Sequence, residues 1–371
     1  MQLFCTSRGA VVPFEPGPTV TMYTCGITPY DAAHVGHAAV YVTFDVLQRR
    51  LRALGHRTLC VRNVTDIDDP LFAKARQLGV HYLDLAAEEL ARFDACMAAL
   101  GLLPSSSEPR ATGAIPDILG FIGMVLDRGH AYQAGSSVYF SVGSFPAFGE
   151  VSGYGREQML ALAAQRGGRV DDPHKRDPLD FVLWQPSAED EPSWQSLWGP
   201  GRPGWHVECS ALALRELGTT IDLHGGGNDL VFPHHECERA QSEAATGEPF
   251  VRHWMHVGMV RLDGVKMSKS LGNLVFVSDL LKEWEPDAVR LAILAHHYRP
   301  GFEWADDLMP AVAARLDRWR QAGPGEAALQ EVRRALDDDL DTPAALAAID
   351  AAAAAGRGAS QAAALLGIPL G

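Results

Sequence analysis

Four side chains that could ligate a metal ion are scattered along the chain: Cys25, Cys209, His234 and Glu238. Zinc prefers thiolate and imidazole ligands in a tetrahedron, and a carboxylate is a plausible fourth ligand. His234 and Glu238 are four residues apart, so a helix that contains both would place them on one face. The set predicts a zinc site with one ion per chain. Cys237 competes with Glu238 for the fourth position, and burial as structural thiols is the alternative for the cysteines.

A second pattern, His34 and His37 around Val35 and Gly36, is typical of nucleotide handling. Two imidazoles separated by two small residues can turn toward a triphosphate at a helix N-terminus, where unpaired N–H groups attract anions. Gly36 allows close approach of the backbone. Taken alone, the pair is more often a surface or capping feature than a nucleotide site.

A lysine motif later in the chain changes that balance. Only five of the 32 basic residues are lysines, yet Lys266 and Lys269 stand three apart in a loop between Gly264 and Gly272. Flexible ammonium groups on a glycine-flanked loop suit the charge that develops on phosphate as pyrophosphate leaves. The two motifs together indicate an ATP site, and a solvated loop is the alternative for the lysines.

The first 65 residues must position the histidine pair, and their pattern predicts a strand, a helix and a second strand. Residues 20–25 and 58–61 are typical of strands. Apolar residues at spacings of three and four predict one buried face of a helix that ends at Gly55: Val40, Phe44, Leu47, Leu51 and Leu54. A parallel connection of the strands would place the loop with His34 at the carboxyl edge of a sheet, where ligands bind.

Composition is that of a large globular protein. The chain has 371 residues, 47% of them hydrophobic, without a leader pattern or an apolar run of membrane-spanning length, so a cytoplasmic location and no membrane partner are expected. Six dispersed cysteines favour reduced thiols over disulfides. A net charge of −14 argues against broad attraction to a polyanion.

Together these motifs resemble the catalytic domain of class I aminoacyl-tRNA synthetases of the cysteinyl-tRNA synthetase group. The matching segments cover most of residues 20–300 and are 25–28, 34–37, 63–69, 202–210, 224–229, 232–236 and 266–270. The resemblance implies an α/β fold, with a Rossmann-like parallel sheet, an inserted domain and a C-terminal helical bundle. The expected limits are 1–104 and 201–275 for the two halves of the catalytic domain, 105–200 for the inserted domain and 276–371 for the helical stem.

The resemblance also implies a reaction, the attack of the cysteine carboxylate on ATP to form cysteinyl-AMP and pyrophosphate. Zinc would select the substrate thiol over a serine hydroxyl, because it binds thiolate far better. Glu238 is then favoured over Cys237, and Mg²⁺ would accompany ATP. The residues implied in phosphoryl transfer are Thr28, His34, His37, Lys266 and Lys269. Those implied in substrate and adenylate binding are Cys25, Gly26, Ile27, Thr28, Asn63, Val64, Thr65, Trp205, Gly227, Asn228, Asp229 and Val260. A buried core tryptophan is the alternative for Trp205.

A closer resemblance is to the mycothiol ligase branch, which joins cysteine to the amine of glucosaminyl-inositol. It rests on residues 26–32, 69–72, 176–180, 296–299 and 303–304. It implies an ATP-dependent carbon–nitrogen ligase whose partners are ATP, L-cysteine and an aminosugar amine. The chain departs from the branch at residues 165–170, at Val40 and at Glu238, where the branch tends to lack a carboxylate. A paralogue that cysteinylates another amine is therefore an alternative.

The segment after Ser270 bears on a tRNA partner. Leu308, Val312, Leu316 and Trp319 form one helical stripe, and the acidic residues of 337–341 are expected to solvate the start of a further helix. This length leaves room for a small helical bundle and little for anticodon recognition, so tRNA is not an expected partner. A truncated tRNA synthetase and a non-catalytic binding domain are the remaining alternatives.

Overall fold

The protein is described here as a computed structural model, which covers residues 1–262, 264–267 and 272–370. Within these ranges, none of the helices combines the length and the hydropathy of a membrane span. The motif residue Lys269 lies outside the described residues.

The strands are short except for two in the first 65 residues. In chain order they are β1 Gln2–Cys5, β2 Ala10–Pro13, β3 Thr19–Ile27, β4 Arg57–Val64, β5 Ala131–Ala134, β6 Ser137–Phe140, β7 Phe181–Gln185, β8 Arg202–Pro203, β9 Leu223–Gly227, β10 Trp254–Val257, β11 Val260–Leu262, β12 Val265–Lys266 and β13 Phe302–Glu303.

Helices separate the strands of the first half and form most of the last hundred residues. In chain order they are α1 Val35–Ala53, α2 Asp69–Leu78, α3 Tyr82–Ala99, α4 Ile115–Asp127, α5 Arg156–Gln165, α6 Trp205–Leu217, α7 Glu236–Thr246, α8 Val277–Glu283, α9 Pro286–Leu294, α10 Leu308–Gln321, α11 Leu329–Asp337, α12 Thr342–Ala354 and α13 Ser360–Leu365.

The predicted strand, helix and strand are β3, α1 and β4, and they belong to a parallel sheet. The strand order in this sheet is β10, β9, β3, β4, and each neighbouring pair is parallel. Parallel strands end at a common edge, so the ends of β3 and β9, at Ile27 and Gly227, lie on the same side of the sheet. This carboxyl edge carries most of the predicted site residues.

Helix α1 covers the sheet with the face that the apolar spacing predicts, except at its end. Phe44, Leu47 and Leu51 are buried and Val40 is half-buried. The prediction is wrong for Leu54, which is 43% exposed. The helix ends at Ala53, one residue earlier than expected, and Leu54 belongs to the turn that leads through Gly55, at φ +95°, into β4.

The glycines at 225–227 are part of β9. A Cβ atom at Gly225 would lie 1.9 Å from the carbonyl oxygen of Met255 and 2.7 Å from the Phe44 ring. Gly225 is therefore required by the packing of β9 against β10 and α1, rather than by a ligand.

The chain between β4 and β9 forms a second, antiparallel sheet with the strand order β5, β6, β7, β8. Residues 105–200, the predicted inserted domain, contain β5 to β7 together with α4 and α5, and β8 lies just beyond them. Aromatic packing forms much of its core: the rings of Phe140 and Phe181 are stacked 4.8 Å apart, and Trp184 is buried. Helix α4 packs against α6 and α7, and it thereby joins this region to the helices that carry the predicted ligands Cys209 and Glu238.

The C-terminal helices are tied to α1 by a buried arginine on α9. Arg290 is 0% exposed, and its guanidinium donates to the carbonyl oxygens of Leu366 at 2.7 Å and Leu100 at 3.0 Å and to the carboxylate of Asp45. The predicted stripe Val312, Leu316 and Trp319 is buried on α10. The C-terminal helices thus pack on the catalytic half rather than forming a separate tail.

The prediction that acidic residues 337–341 solvate a helix start is correct only for Asp341, whose carboxylate accepts a hydrogen bond from Ala344 N at 2.9 Å in the first turn of α12. Asp339 is buried and accepts from Phe4 N at 2.8 Å and from the Tyr298 hydroxyl at 2.6 Å. Asp337 pairs with Arg50 on α1 at 2.6 Å. These two carboxylates are tertiary anchors because they meet donors from distant parts of the chain.

Candidate active site

The four predicted metal ligands meet in one buried group, called the thiol cluster below. Cys25 lies in β3, Cys209 in α6, His234 in the turn before α7 and Glu238 in the first turn of α7. One possible ligand atom from each side chain lies within 4.8 Å of those of the others. All four residues are buried.

The His234 side chain faces Glu238 although the helix begins later than expected. Helix α7 starts at Glu236, because Phe232 has extended backbone angles, so His234 precedes the helix by two residues. Its Nε2 lies 2.7 Å from Glu238 Oε1, and the Cys25 Sγ lies 3.5 Å from the same oxygen. Within the described ranges this buried Nε2 has no hydrogen-bond partner of good geometry. A buried, unsatisfied imidazole nitrogen beside two thiols and a carboxylate fits a zinc ion.

The charges of the thiol cluster depend on one another. Hydrogen bonding to Cys25 lowers the pKa of the Cys209 thiol to about 6, whereas burial raises the pKa of Cys25 well above its usual value. Burial alone would lower the pKa of His234, but Glu238 and Cys209 raise it to about 10. Burial would raise the pKa of Glu238, but His234 and His224 hold it well below its usual value. Cys209 and Glu238 therefore provide negative charge at neutral pH.

A second group of possible ligands shares Cys25 and Glu238 but replaces the other two by His224 and His235. His224 Nδ1 lies 2.9 Å from the Tyr23 carbonyl oxygen, and its Nε2 lies 2.7 Å from Glu238 Oε2. Both nitrogens of His224 thus already lie within hydrogen-bond distance of oxygen atoms of the protein. The thiol cluster has two thiols, and its His234 Nε2 makes no hydrogen bond of good geometry within the described residues, so it is the better zinc site.

His235 begins a chain of buried hydrogen bonds that motif spacing does not predict. Its Nε2 lies 3.2 Å from Cys25 Sγ and its Nδ1 lies 2.7 Å from His256 Nε2, while His256 Nδ1 lies 2.7 Å from the Thr6 hydroxyl. Burial lowers the pKa of His235 well below its usual value and that of His256 to about 3. These neutral rings fix the orientation of Cys25, the usual role of groups behind a metal ligand. Only folding brings residues 6, 25, 235 and 256 together.

Trp205 is half-buried and is not the core tryptophan considered as its alternative. Its ring stacks on His234 with centroids 4.1 Å apart. The neighbouring His206 has its Nδ1 2.9 Å from His234 Nδ1, and burial lowers the pKa of His206 to about 3. Trp205 and His206 therefore form one wall beside the thiol cluster. Motif spacing alone predicts no role for His206.

The predicted adenylate-binding residues on β3 and β4 form a closely fitted pair of strand ends. Gly26 N donates to Asn63 Oδ1 at 2.9 Å, and Asn63 Nδ2 donates to Thr65 Oγ1 at 3.1 Å. A Cβ atom at Gly26 would lie 1.4 Å from the Asn63 carbonyl oxygen. In the same register Ile27 pairs with Val64, and both are buried. Ile27, Val64 and Thr65 thus support the site from within the core.

Thr28 lies just beyond β3 and donates from its hydroxyl to Asp68 Oδ2 at 2.8 Å. Burial raises the pKa of Asp68 to about 6, and the neighbouring carboxylate of Asp69 adds to the effect. Asp68 belongs to the matching segment 63–69, but its position in the sequence alone predicts no role for it. Its contact with Thr28 places a carboxylate at the edge where the substrate is expected.

The two histidines of the nucleotide motif stack on each other at the start of α1. Their ring centroids are 3.8 Å apart, His34 is the N-cap, and its Nδ1 accepts from Gly36 N at 3.1 Å. Burial and the neighbouring His34 lower the pKa of His37 to about 3. His34 therefore caps the helix, as the alternative interpretation of the pair predicts. This cap also orients both rings at a helix end that favours anions.

The chain on either side of the lysine motif approaches this helix end. Val35 N donates to the Val275 carbonyl oxygen at 2.9 Å, and Val277 N donates to the Ala33 carbonyl oxygen at 2.9 Å. The backbone of Lys266 lies in β12, where it pairs with Arg261 of β11. Val260, a predicted binding residue, is buried in β11 and pairs with Phe302.

The remaining predicted binding residues follow β9 at the carboxyl edge. Asn228 is exposed, and Gly227 and Asp229 are half-buried. A Cβ atom at Gly227 would lie 2.5 Å from Asp229 Oδ1, so glycine here leaves room for that carboxylate. The Asp229 carbonyl oxygen accepts from the Arg166 guanidinium, which joins this edge to the loop after α5.

A cavity of about 400 Å³ opens beside Trp205 and His206, and we call it the side cavity. Its lining combines residues of the inserted region with residues of the parallel-sheet half, among them Asp68, Arg166, Arg169, Lys175, Trp205 and His206. The thiol of Cys237 also faces it, and Cys237 belongs to neither group of possible metal ligands. The side cavity thus extends from the Thr28–Asp68 contact to the wall of the thiol cluster.

Comparison with known proteins defines the class of this fold and site. Residues 11–314 match the family model described as tRNA synthetases class I (C) catalytic domain. The methionyl-tRNA synthetase of Mycobacterium tuberculosis, solved with methionyl-adenylate, superposes with a TM-score of 0.69 at 17% identity, over 95% of this chain and 88% of that one. The class I synthetase fold predicted from the motifs is confirmed.

Closer relatives narrow the class. The L-cysteine:1D-myo-inositol 2-amino-2-deoxy-alpha-D-glucopyranoside ligase of Streptosporangium roseum is 49% identical over 95% of this chain and 88% of its own length. The ligase of the same name from Thermomonospora curvata is 50% identical over 94% of this chain and 86% of its own length. The chain belongs to this ligase family, and the resemblance stated from the motifs is confirmed.

Proposed function

We propose that this chain is an ATP-dependent ligase that activates cysteine as cysteinyl-AMP and transfers it to the amine of glucosaminyl-inositol or a similar aminosugar. The observation that carries the proposal is the thiol cluster, which lies at the same sheet edge as the stacked histidines of the ATP motif. The names of relatives at about half identity over most of the chain support the acceptor class.

Cys25, Cys209, His234 and Glu238 would hold one zinc ion, and the metal would supply thiol selection by binding the substrate sulfur. A pocket that relied on apolar contacts alone would discriminate poorly between cysteine and serine. Trp205 packs against His234 and forms the wall beside the substrate side chain. Asp229, which lies two residues beyond β9, would bind the substrate ammonium group.

Phosphoryl charge is stabilised at the N-terminus of α1. His37 is neutral at physiological pH because its pKa is about 3, and its Nδ1 accepts from His34 N, so the N–H on its Nε2 can donate to a phosphate oxygen. His34 caps the helix and orients that ring. Lys266 and Lys269 balance the charge of the departing pyrophosphate. The Thr28 hydroxyl, which donates to Asp68, can accept a hydrogen bond from the forming adenylate. Mg²⁺ enters with ATP, as in class I synthetase-type enzymes.

The second step joins the acceptor nitrogen to the activated cysteine. The nitrogen lone pair forms a bond to the carbonyl carbon, the bond from that carbon to the phosphate oxygen breaks, and AMP leaves with the electron pair. The nitrogen loses one proton to solvent. The product is an amide, so no covalent bond to the protein is required.

Exchange of labelled pyrophosphate into ATP tests the first step. We expect exchange that depends on cysteine and is much slower with serine at equal concentration. Glucosaminyl-inositol and tRNA are then offered separately, and mass spectrometry identifies the cysteinylated product. No exchange with zinc and magnesium present would refute the activation step. Transfer to tRNA alone would show that the acceptor assignment is wrong and would support the tRNA synthetase alternative.

A further inference from the structure

The end of the side cavity next to Thr28 is formed by the carboxylate of Asp68. Asp68 is the N-cap residue of α2, and its Oδ2 accepts from the Thr28 hydroxyl at 2.8 Å. Thr28 follows β3 directly. In the described part of the chain no side chain donates to the second oxygen, Oδ1. The Asp68 carboxylate thus joins the side cavity to the strand end that carries the predicted adenylate-binding residues.

Amide formation at this edge releases a proton. The acceptor of the proposed function, glucosaminyl-inositol, is uncharged apart from its amine, and the nitrogen of that amine attacks through its lone pair. Once the carbon–nitrogen bond forms, the nitrogen must lose a proton to become an amide nitrogen. A base within hydrogen-bond reach of that nitrogen accelerates such a step by about 10²–10⁴-fold. A proton acceptor in the side cavity would therefore serve the second step of the reaction.

The other carboxylates near the side cavity are less suited to this role. Asp69 is exposed and pairs with Arg202. Asp180 lines the cavity, but both of its oxygens accept hydrogen bonds from the inserted region. Glu208 on α6 is fully buried and does not line the cavity. Asp68 is therefore the carboxylate that reaches the cavity and also contacts the expected adenylate site.

Two nitrogen bases also line the side cavity, His206 and Lys175. His206 Nδ1 lies 2.9 Å from His234 Nδ1, so this ring belongs to the wall of the thiol cluster. Burial lowers the pKa of Lys175, which belongs to the inserted region between α5 and β7. Within the described ranges neither side chain hydrogen-bonds to Thr28 or Asp68. Both bases are therefore separate from the contact that faces the adenylate site.

Burial and neighbouring groups together set the proton affinity of Asp68. Burial raises its pKa to about 6, and the neighbouring Asp69 adds to this shift. The hydrogen bond from Thr28 and the positive charge of Arg202 act in the opposite direction. From α6, the buried carboxyl of Glu208 also interacts with Asp68. Asp68 is therefore ionised at pH 7 but binds a proton more readily than an ordinary aspartate, which suits a general base.

We propose that Asp68 is the general base of amide formation, and that its carboxylate accepts the proton that the acceptor nitrogen loses as the carbon–nitrogen bond forms. The nitrogen lone pair bonds to the carbonyl carbon, and the electron pair of the carbon–oxygen bond leaves with AMP. The proton passes to Asp68 and then through the side cavity to solvent. Thr28, which donates to Oδ2, positions the carboxylate. The proposal rests on the proposed ligase function and adds the residue that handles the proton.

Asp68→Asn tests the assignment, because asparagine keeps the size of the side chain but cannot accept a proton at neutral pH. In the full-length enzyme with zinc and magnesium, cysteine-dependent pyrophosphate exchange should stay close to that of the wild type. The kcat/KM for glucosaminyl-inositol at pH 7 should fall about 100-fold. Hydroxylamine serves as a second nucleophile, because its nitrogen is unprotonated at neutral pH and attacks activated carboxylates without a protein base. Formation of the cysteine hydroxamate should therefore survive in the variant.

A pH profile separates a general base from a structural role. Below about pH 6 the wild-type kcat/KM for the acceptor should depend on two ionisations, those of Asp68 and of the acceptor amine. It should then fall by about tenfold per pH unit for each group. In Asp68→Asn the amine alone should remain, so the slope of the logarithmic profile should halve. Asp68→Glu, which restores a carboxylate, should recover part of the transfer rate and the second ionisation.

Asp69→Asn is the matched control, because it removes the same charge from the adjacent, exposed residue. It should keep transfer and both ionisations, with that of Asp68 moved to lower pH because a neighbouring negative charge is lost. Wild-type transfer and slope in Asp68→Asn would overturn the proposal. So would equal losses of exchange, hydroxamate formation and transfer, or a Lys175→Gln variant that halves the slope in place of Asp68→Asn. Absence of cysteine-dependent exchange in the wild type would refute the ligase function itself, which is a separate result.

Discussion

Replacement of Cys209 by alanine removes one of the two thiols of the thiol cluster. A four-ligand structural zinc site has an apparent binding free energy of about 10–16 kcal/mol, so one ligand accounts for about 3 kcal/mol on average. Cys209 has the lower pKa of the two thiols and is the more readily ionised, which makes it an important ligand. We expect Cys209→Ala to bind zinc about 100-fold more weakly and to lose cysteine-dependent pyrophosphate exchange.

The two overlapping groups of possible ligands allow a sharper version of this test. His234→Asn removes a possible ligand of the thiol cluster alone, whereas His235→Asn removes a possible ligand of the alternative group and leaves all four residues of the thiol cluster in place. After dialysis against a competing chelator, elemental analysis should find zinc retained in His235→Asn and lost in His234→Asn and Cys209→Ala. A spectrum of the cobalt-substituted protein adds a second readout, because thiolate-to-cobalt absorption falls when one of two thiolates is removed.

Cys237→Ala is the matched control for loss of a thiol. Cys237 is buried on α7, next to Glu238, but belongs to neither group of possible ligands. It should keep both zinc and exchange activity. The ligand assignment is wrong if Cys209→Ala keeps its zinc while His235→Asn loses it. If Cys209→Ala loses zinc and still activates cysteine in preference to serine, the metal is not the thiol selector.

Three further variants test the surrounding structure. The pKa of Asp68 rises from 3.8 to about 6 on folding, so the free energy of unfolding falls as pH increases from about 4 to 6. In urea titrations at pH 7, Asp68→Asn should therefore be more stable than the wild type by about 1–2 kcal/mol, after allowance for partial exposure. Below about pH 4 the variant should be no more stable than the wild type. Gly26→Ala should destabilise the fold by about 3 kcal/mol or more, since its Cβ would overlap the Asn63 carbonyl oxygen, and an unchanged denaturation midpoint would contradict the tight strand contact. Arg290→Met should lower the free energy of unfolding by about 3 kcal/mol, because it leaves buried acceptors without a donor. Adding Asp45→Asn to this variant should recover part of the lost stability, which calorimetry would measure.

The elements of the first half could be predicted from local patterns. Alternation and spacing of apolar residues predict β3, α1 and β4, because a strand or helix that packs on one side must repeat its apolar residues with the period of that structure. The failure at Leu54 occurs where the helix ends, since a terminal turn is no longer held by the periodic face. The prediction for the acidic segment 337–341 was wrong at Asp339 for another reason. The donors that hydrogen-bond to its carboxylate come from residues 4 and 298, which lie far away in the sequence.

The sequence by itself determined which chemistry the protein can contain. The thiols, imidazoles and lysines predict a metal site and an ATP site, and the resemblance that their motifs carry implies cysteine activation and a class I synthetase fold. Residue type sets the affinity of a side chain for a metal or a phosphate, and this affinity exists before folding.

Only the tertiary structure decided which of these side chains meet. It separated the thiol cluster from the His224 and His235 alternative through hydrogen bonds to Tyr23 and His256, and it brought Arg169 and Lys175 to one cavity with Asp68. These contacts join residues far apart in the chain. Their geometry depends on how strands and helices pack, which no local spacing encodes.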